Sequence, residues 1–216
     1  MYQKDLTYIT IEYSDKDLDY IDDLCAYIEW SSDEIVTFLN IQTFGEKVHV
    51  KLWDNLESFR KCYKDTGYSL DKKGEVRKWV CGFAFGNDVH TLCLEAYRQT
   101  KTHENNTLQD LKYLIMHEFT HSCHTKLNPK KYAWLGEGLA TTITHQMENE
   151  DKIFNFTLNQ AINGGPDYRN YHTMFSYVYK TYGRDYILNL INDYDLLKKV
   201  TPKLYEETFK LYGNNE

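Results

Sequence analysis

Two histidines one helical turn apart, with a glutamate directly after the first, form the segment HEFTH at residues 117–121. On an α-helix, residues i and i+4 share a face, so His117 and His121 can direct ring nitrogens at one point. Neutral imidazoles bind zinc, and a catalytic zinc site typically combines three protein ligands with water. Glu118 would reach that water and take its proton. The pattern therefore predicts a catalytic zinc site that lacks only a third ligand.

The segment YAWLGEGLATT supplies a candidate for this ligand. Glu137 stands sixteen residues beyond His121, on a second predicted helix, after a loop broken by Asn128 and Pro129. A helix–turn–helix hairpin of that length can return a carboxylate to the first helix, and His, His and Glu form a standard catalytic zinc set. We expect small residues around the carboxylate to let the two helices approach closely. These residues are Gly136, Gly138 and Ala140.

HEFTH followed by WLGEGLA resembles the gluzincin clan of zinc metallopeptidases, and particularly its small, peptidase-MA-like bacterial members. The resemblance covers about residues 108–147 strongly and continues more weakly through YVYKTYGRDYILNLI. It implies a zincin-like α+β fold and hydrolysis of peptide bonds, with one zinc ion per chain. It also implies that Glu118 is the general base and acid, and that the zinc ligands are His117, His121 and Glu137.

The chain departs from the relatives in one respect. Thermolysin-like enzymes carry an aspartate four residues beyond the glutamate ligand, where it orients a ligand histidine, and Thr141 stands at that position here. A hydroxyl of Thr141, Thr142 or Thr144 could replace it. Metzincins are excluded, because their glycine and third histidine correspond to His124 and Leu127.

A peptidase also needs a donor for the oxyanion that develops as water adds to the carbonyl. The resemblance implies a tyrosine or histidine of the helical lobe. Tyr168 is the best positional match, followed by Tyr171 and His172, although a chain with 19 tyrosines offers many packing residues that look alike. Among the other candidates, His124 is interpreted as structural, Cys123 as a core residue and His145 as too far from the metal.

The first hundred residues must supply the support for this site. Alternation and β-branched residues predict strands at Leu6–Tyr13, 47–53, 76–86 and 88–97, which together form a four-strand mixed sheet. Helices are predicted from Asp15 or Asp17 to about Trp30, over SSDEIVTFLNI and over NLESFRKCYKDTG. By the resemblance, the strand DVHTLCLEAY is an exposed edge that pairs with extended substrate.

The remainder reads as helical. Thr107, with Asp110 near the N3 position, caps a helix predicted over residues 108–126, and a second helix is predicted over 135–147. Three or four further helices follow. We expect a single catalytic domain with an α+β lobe (1–106), a metal-binding helix pair (107–147) and a helical lobe (148–216), with a cleft where the lobes meet.

Composition excludes several other functions. The formal net charge is −7 and Lys and Arg form no basic stripe, which disfavours nucleic-acid binding. No stretch approaches 18 apolar residues, and the opening residues lack a signal-peptide core, so no membrane association is expected. Five cysteines without a CxxC pair indicate reduced thiols and a cytoplasmic protein. The expected partner is a peptide or protein substrate, and the oligomeric state stays open.

Two other readings remain. In one, the domain keeps the metal site of a zincin but acts as a protein-binding or sensor module without catalysis. In the other there is no metal, and the histidines serve the core.

Overall fold

The computed structural model describes residues 1–213, and the chain divides into two compact units. The first unit contains residues 1–37 and 41–122. The second contains residues 38–40 and the chain from Cys123 onward.

The first unit is built on a five-stranded mixed sheet with the order β1-β2-β3-β5-β4. Its strands are β1 (Tyr2–Asp5), β2 (Ile9–Tyr13), β3 (Val48–Trp53), β4 (Gly82–Phe85) and β5 (Asp88–Leu92). β2, β3 and β5 run parallel, while β1 and β4 pair antiparallel at the two edges. The predicted α+β class is confirmed. The predicted count of four strands is wrong, because a further strand, β1, precedes the predicted first strand and pairs antiparallel with it.

Alternating burial explains why these segments form strands. Along β3 buried and half-buried residues alternate, so that Val48, Val50 and Leu52 enter the core. Ile11 and Val89 on the neighbouring strands are also fully buried. One face of the sheet therefore carries the core of this unit.

DVHTLCLEAY is not the exposed edge that we predicted. β5 ends at Leu92 and lies between β3 and β4, because β4 folds back on it as an antiparallel hairpin. The second half of the segment is helical, since the sulfur of Cys93 accepts a hydrogen bond from the Ala96 N–H and caps a short helix. The edge strand on this side of the sheet is β4.

The helices of this part of the chain are a 3₁₀ helix (Asp15–Asp17), α1 (Ile21–Phe38), α2 (Leu56–Asp65), α3 (Leu94–Arg98) and α4 (Leu108–Leu127). The two helices predicted before residue 42 are one helix, α1. Ser31 and Ser32, interpreted as the start of a second helix, are buried within it. The Ser32 hydroxyl donates to the Glu29 carbonyl at 3.1 Å, which lets a serine remain inside a helix.

The second unit is helical, with α5 (Ala133–Ile143), α6 (Leu158–Asn163), α7 (Tyr168–Tyr182), α8 (Arg184–Asn192) and α9 (Tyr194–Tyr212). Trp134 is fully buried and its indole N–H donates to the Thr201 hydroxyl at 3.2 Å, which ties α5 to α9. Gly183, at φ 81°, separates α7 from α8. Across the described residues, no helix combines the length and the apolar character needed to cross a bilayer.

The turn before α1 gives a test of the fold. The Tyr20 hydroxyl donates to the fully buried Asp17 carboxylate and accepts a hydrogen bond from the Leu94 N–H at 3.2 Å. Tyr20→Phe removes both bonds, and we expect the free energy of unfolding to fall by about 1–3 kcal/mol in urea titrations. Tyr179→Phe, at an exposed ring, is the control. Equal stabilities of the two variants would contradict this account.

Candidate metal centre

Helix α4 carries the HEFTH segment, and its start is fixed by a capping box. The Thr107 N–H and hydroxyl donate to the Asp110 carboxylate at 2.6 and 2.7 Å, and the Asp110 N–H donates back to the Thr107 hydroxyl at 3.4 Å. This cap was predicted from the sequence and is confirmed. It sets the register of the helix nearly three turns before the histidines.

The two histidines share one face of α4. Their Nε2 atoms are 3.1 Å apart, and the ring centroids are 4.7 Å apart with the planes nearly perpendicular. Around them the helix is anchored by fully buried Ile115, Met116 and Phe119. Two imidazoles are thus aimed at one point from a helix that packing holds in place.

Glu137 on α5 joins this pair. His117, His121 and Glu137 each offer one ligand atom, and the three atoms lie within 4.8 Å of one another. His117 is buried, whereas His121 and Glu137 are half-buried. Glu118, which is also buried, is not a member of the group. All three predicted metal ligands are therefore brought together.

The glycine beside Glu137 serves a different contact from the one predicted. A Cβ at Gly138 would lie 2.5 Å from the Cβ of Phe175 and 2.7 Å from the Tyr171 carbonyl, so the absent side chain lets α7 approach α5. A Cβ at Gly136 would meet the side chain of Lys131. We expected these glycines to admit α4. That explanation is wrong for Gly138, whose neighbour is α7.

The threonines that we expected near the ligand histidines bond elsewhere. Thr141 donates to the Glu137 carbonyl at 2.8 Å, and Thr144 donates to the Ala140 carbonyl at 2.7 Å. Thr142 lies 3.0 Å from Nδ1 of His172. Two of the hydroxyls therefore bond the backbone of their own helix, and the third contacts a residue of α7.

The three candidate oxyanion donors lie together at the start of α7. The Tyr171 hydroxyl donates to the Gly165 carbonyl at 3.1 Å and accepts a hydrogen bond from the Gly165 N–H. Burial raises the pKa of Tyr171, and the nearby Glu137 carboxylate adds to the effect, although the Gly165 N–H opposes it. The Tyr168 ring packs edge-on against Tyr171 at 6.0 Å. Burial lowers the pKa of His172, which favours a neutral ring. The role of each stays a prediction.

Sequence reasoning missed two tyrosines of the first unit that lie within electrostatic reach of Glu118. Burial raises the pKa of both Tyr63 and Tyr68, and the Glu118 carboxylate raises each further. The Tyr68 hydroxyl donates to the Ala84 carbonyl on β4, while its ring remains 40% exposed. No local motif marks these residues, because α2, which carries Tyr63, and the loop after it, which carries Tyr68, are distant in sequence from Glu118.

The remaining histidines and the nearby cysteine lie outside the ligand group. His124 and Cys123 are fully buried, which confirms the predicted core position of Cys123. His145 is exposed and pairs with Glu148 at 3.2 Å. His103 lies 3.3 Å from the sulfur of Cys81.

Comparisons with protein-family models, with curated proteins and with solved structures gave no match to this chain.

The contact at Gly138 predicts a stability effect. Gly138→Ala forces α5 and α7 apart, and we expect a loss of about 1–3 kcal/mol in the free energy of unfolding, measured by thermal or urea denaturation. Gly136→Ala is the matched control in the same helix. Its new methyl group meets only a flexible lysine, and alanine is about 1 kcal/mol better than glycine inside a helix. A Gly138→Ala variant as stable as Gly136→Ala would refute the proposed contact.

Proposed function

We propose that this protein is a zinc-dependent metallopeptidase of the gluzincin type, with a zincin-like fold. The observation that carries the proposal is the convergence of His117, His121 and Glu137 within 4.8 Å, with buried Glu118 beside the first histidine. The resemblance of HEFTH and WLGEGLA to that clan, which involves the same residues, agrees with it.

The donor set suits zinc in chemistry and in size. Zinc binds imidazole nitrogen and carboxylate oxygen at about 2.0–2.2 Å, so two ligands in a tetrahedral arrangement lie roughly 3.4 Å apart. The two Nε2 atoms are separated by 3.1 Å, close to this value. Three protein ligands leave a coordination position for water or substrate, as a catalytic site requires.

Within this proposal Glu118 moves the proton. Zinc, when bound, supplies a Lewis acid that polarises the scissile carbonyl and makes water more acidic. The Glu118 carboxylate accepts a proton from the attacking water and returns it to the leaving amine. Burial strengthens the electrostatic interactions of the Glu118 carboxylate, because the protein interior has a lower effective dielectric constant than water.

Tyr168, Tyr171 and His172 remain the proposed oxyanion donors. Tyr171 already donates to the Gly165 carbonyl, so it would have to exchange that bond for one to substrate. Nδ1 of His172 lies 3.0 Å from the Thr142 hydroxyl, and this contact would orient the ring. We rank Tyr168 first on its position in the sequence.

The metal set is tested by metal content. Purified protein is expected to hold one zinc ion per chain by elemental analysis, and Glu137→Gln is expected to lose it, because a neutral amide is a much weaker ligand than a carboxylate. Glu150→Gln, at an exposed glutamate, is the control. Equal zinc contents in these two variants would remove Glu137 from the ligand set.

Catalysis is tested separately. Glu118→Gln is expected to lower peptide hydrolysis by about 10²–10⁴-fold while zinc stays bound, because the amide accepts no proton. Turnover of a peptide library is compared between zinc-loaded and chelator-treated protein. Full activity in the variant would exclude Glu118 as the base. Zinc binding without turnover in the unaltered protein would instead indicate a non-catalytic zincin domain.

A further inference from the structure

The loop between α2 and β4 carries an ordered, cationic tip, residues 71–79, which we call the basic loop. The Asp71 carboxylate accepts hydrogen bonds from the Lys73 and Glu75 N–H groups at 2.8 and 2.9 Å. The Asp71 N–H donates to the Glu75 carbonyl at 2.8 Å, and Gly74 adopts φ 76° at the turn. The tip is thus folded by its own hydrogen bonds.

The basic loop contains four cationic and two acidic side chains, within a chain whose net charge is −7. Both acids are engaged: Asp71 with the backbone of the turn, and Glu75 with Lys64 at 2.6 Å. Within residues 1–213, the cations of the loop form no ion pair with a carboxylate within 4 Å. These cations are Lys72, Lys73, Arg77 and Lys78, and all are exposed.

An exposed aromatic ring accompanies these charges. Trp79 is 51% exposed, and the Arg77 guanidinium lies 5.9 Å from its ring centroid. The neighbouring Val76 and Val80 are buried and anchor the loop. A large aromatic surface beside unpaired cations is typical of a binding surface, since tryptophan and arginine dominate the energetics of interfaces.

The basic loop leads into a strand that packs on the helix of the proposed general base. This strand, β4, lies against α4. A Cβ at Gly82 would lie 3.0 Å from Leu114, one turn before His117.

β4 offers a peptide a place beside the basic loop. It is an edge strand of the sheet, and the side chain of Phe85 at its end is 48% exposed. An edge strand can pair with any extended backbone without regard to its side chains, and a peptide on β4 would take the Ala84 carbonyl from the Tyr68 hydroxyl that now donates to it. Selectivity must therefore come from side chains around the edge, and the basic loop, which ends three residues before β4, supplies cationic ones.

We propose that the basic loop selects acidic peptides as the substrates of this protein. An extended peptide beside β4 would place aspartate or glutamate residues against Lys72, Lys73 and Lys78, and an apolar side chain against Trp79. The assignment of the bound peptide as a substrate rests on the proposed peptidase function, whereas the binding of the peptide by the basic loop is independent of that function.

The binding step is measured by fluorescence anisotropy with a fluorescein-labelled, glutamate-rich peptide and a lysine-rich peptide of the same length. Zinc-loaded Glu118→Gln protein is used, so that hydrolysis does not consume the probe. We expect the acidic peptide to bind more tightly, and the triple variant Lys72→Glu, Lys73→Glu, Lys78→Glu to weaken its binding by about tenfold or more. The control variant makes the same charge change at exposed positions of α9, namely Lys198→Glu, Lys199→Glu and Lys210→Glu.

Equal binding of the two peptides, or equal losses of affinity in the two triple variants, would overturn the proposal. Binding to vesicles of phosphatidylserine and phosphatidylcholine is measured as well. Loop-dependent binding to these vesicles that exceeds binding to the acidic peptide would also overturn the proposal. Cleavage by the unaltered protein is followed in parallel. Loop-dependent binding of the acidic peptide without its cleavage would support the surface and overturn the peptidase function. Cleavage that is indifferent to peptide charge would overturn the surface alone.

Discussion

The spacing of two histidines on one buried helix is the constraint on which the site depends. Four residues along α4 bring two Nε2 atoms to 3.1 Å, and a carboxylate from α5 completes the group. Imidazole nitrogens and a carboxylate oxygen gathered this closely form a donor set that suits a divalent cation, and this is the basis of the proposed metal site.

The residues around Glu137 show that packing, and not metal binding, accounts for much of the local sequence. Gly138 admits α7, and the hydroxyls of Thr141 and Thr144 bond the carbonyls of their own helix. Such bonds satisfy buried hydroxyl groups without help from another element. A glycine or a threonine next to a ligand is consequently poor evidence for a direct role at the metal. The position of Glu137 depends on the α5–α7 contact that these residues permit.

Sequence patterns predicted the features of the fold that depend on interactions between residues close in sequence. The spacing in HEFTH, the Thr107 cap and the α+β class all follow from helix periodicity, capping or strand alternation. Two errors have other causes. The edge position of DVHTLCLEAY was taken from the family resemblance, whereas a hairpin turn at Gly86 folds β4 over it. Ser31 and Ser32 resemble a helix start, but the Glu29 carbonyl accepts the Ser32 hydroxyl inside a continuous helix. Tyr63 on α2 and Tyr68 shortly after it were missed because their approach to Glu118 joins segments that are distant in sequence.

The net charge of the chain also gives no information on where the charged side chains lie. The value of −7 argues against nucleic acid as a partner, yet charges on a protein surface are screened beyond about 8–10 Å at physiological ionic strength. An incoming peptide therefore responds to the side chains within that distance and not to the total. The loop that leads into β4 contributes four cations whose acidic neighbours are already bonded. Such a patch both attracts an acidic segment and orients it, because complementary charges favour encounter and fix the register of binding.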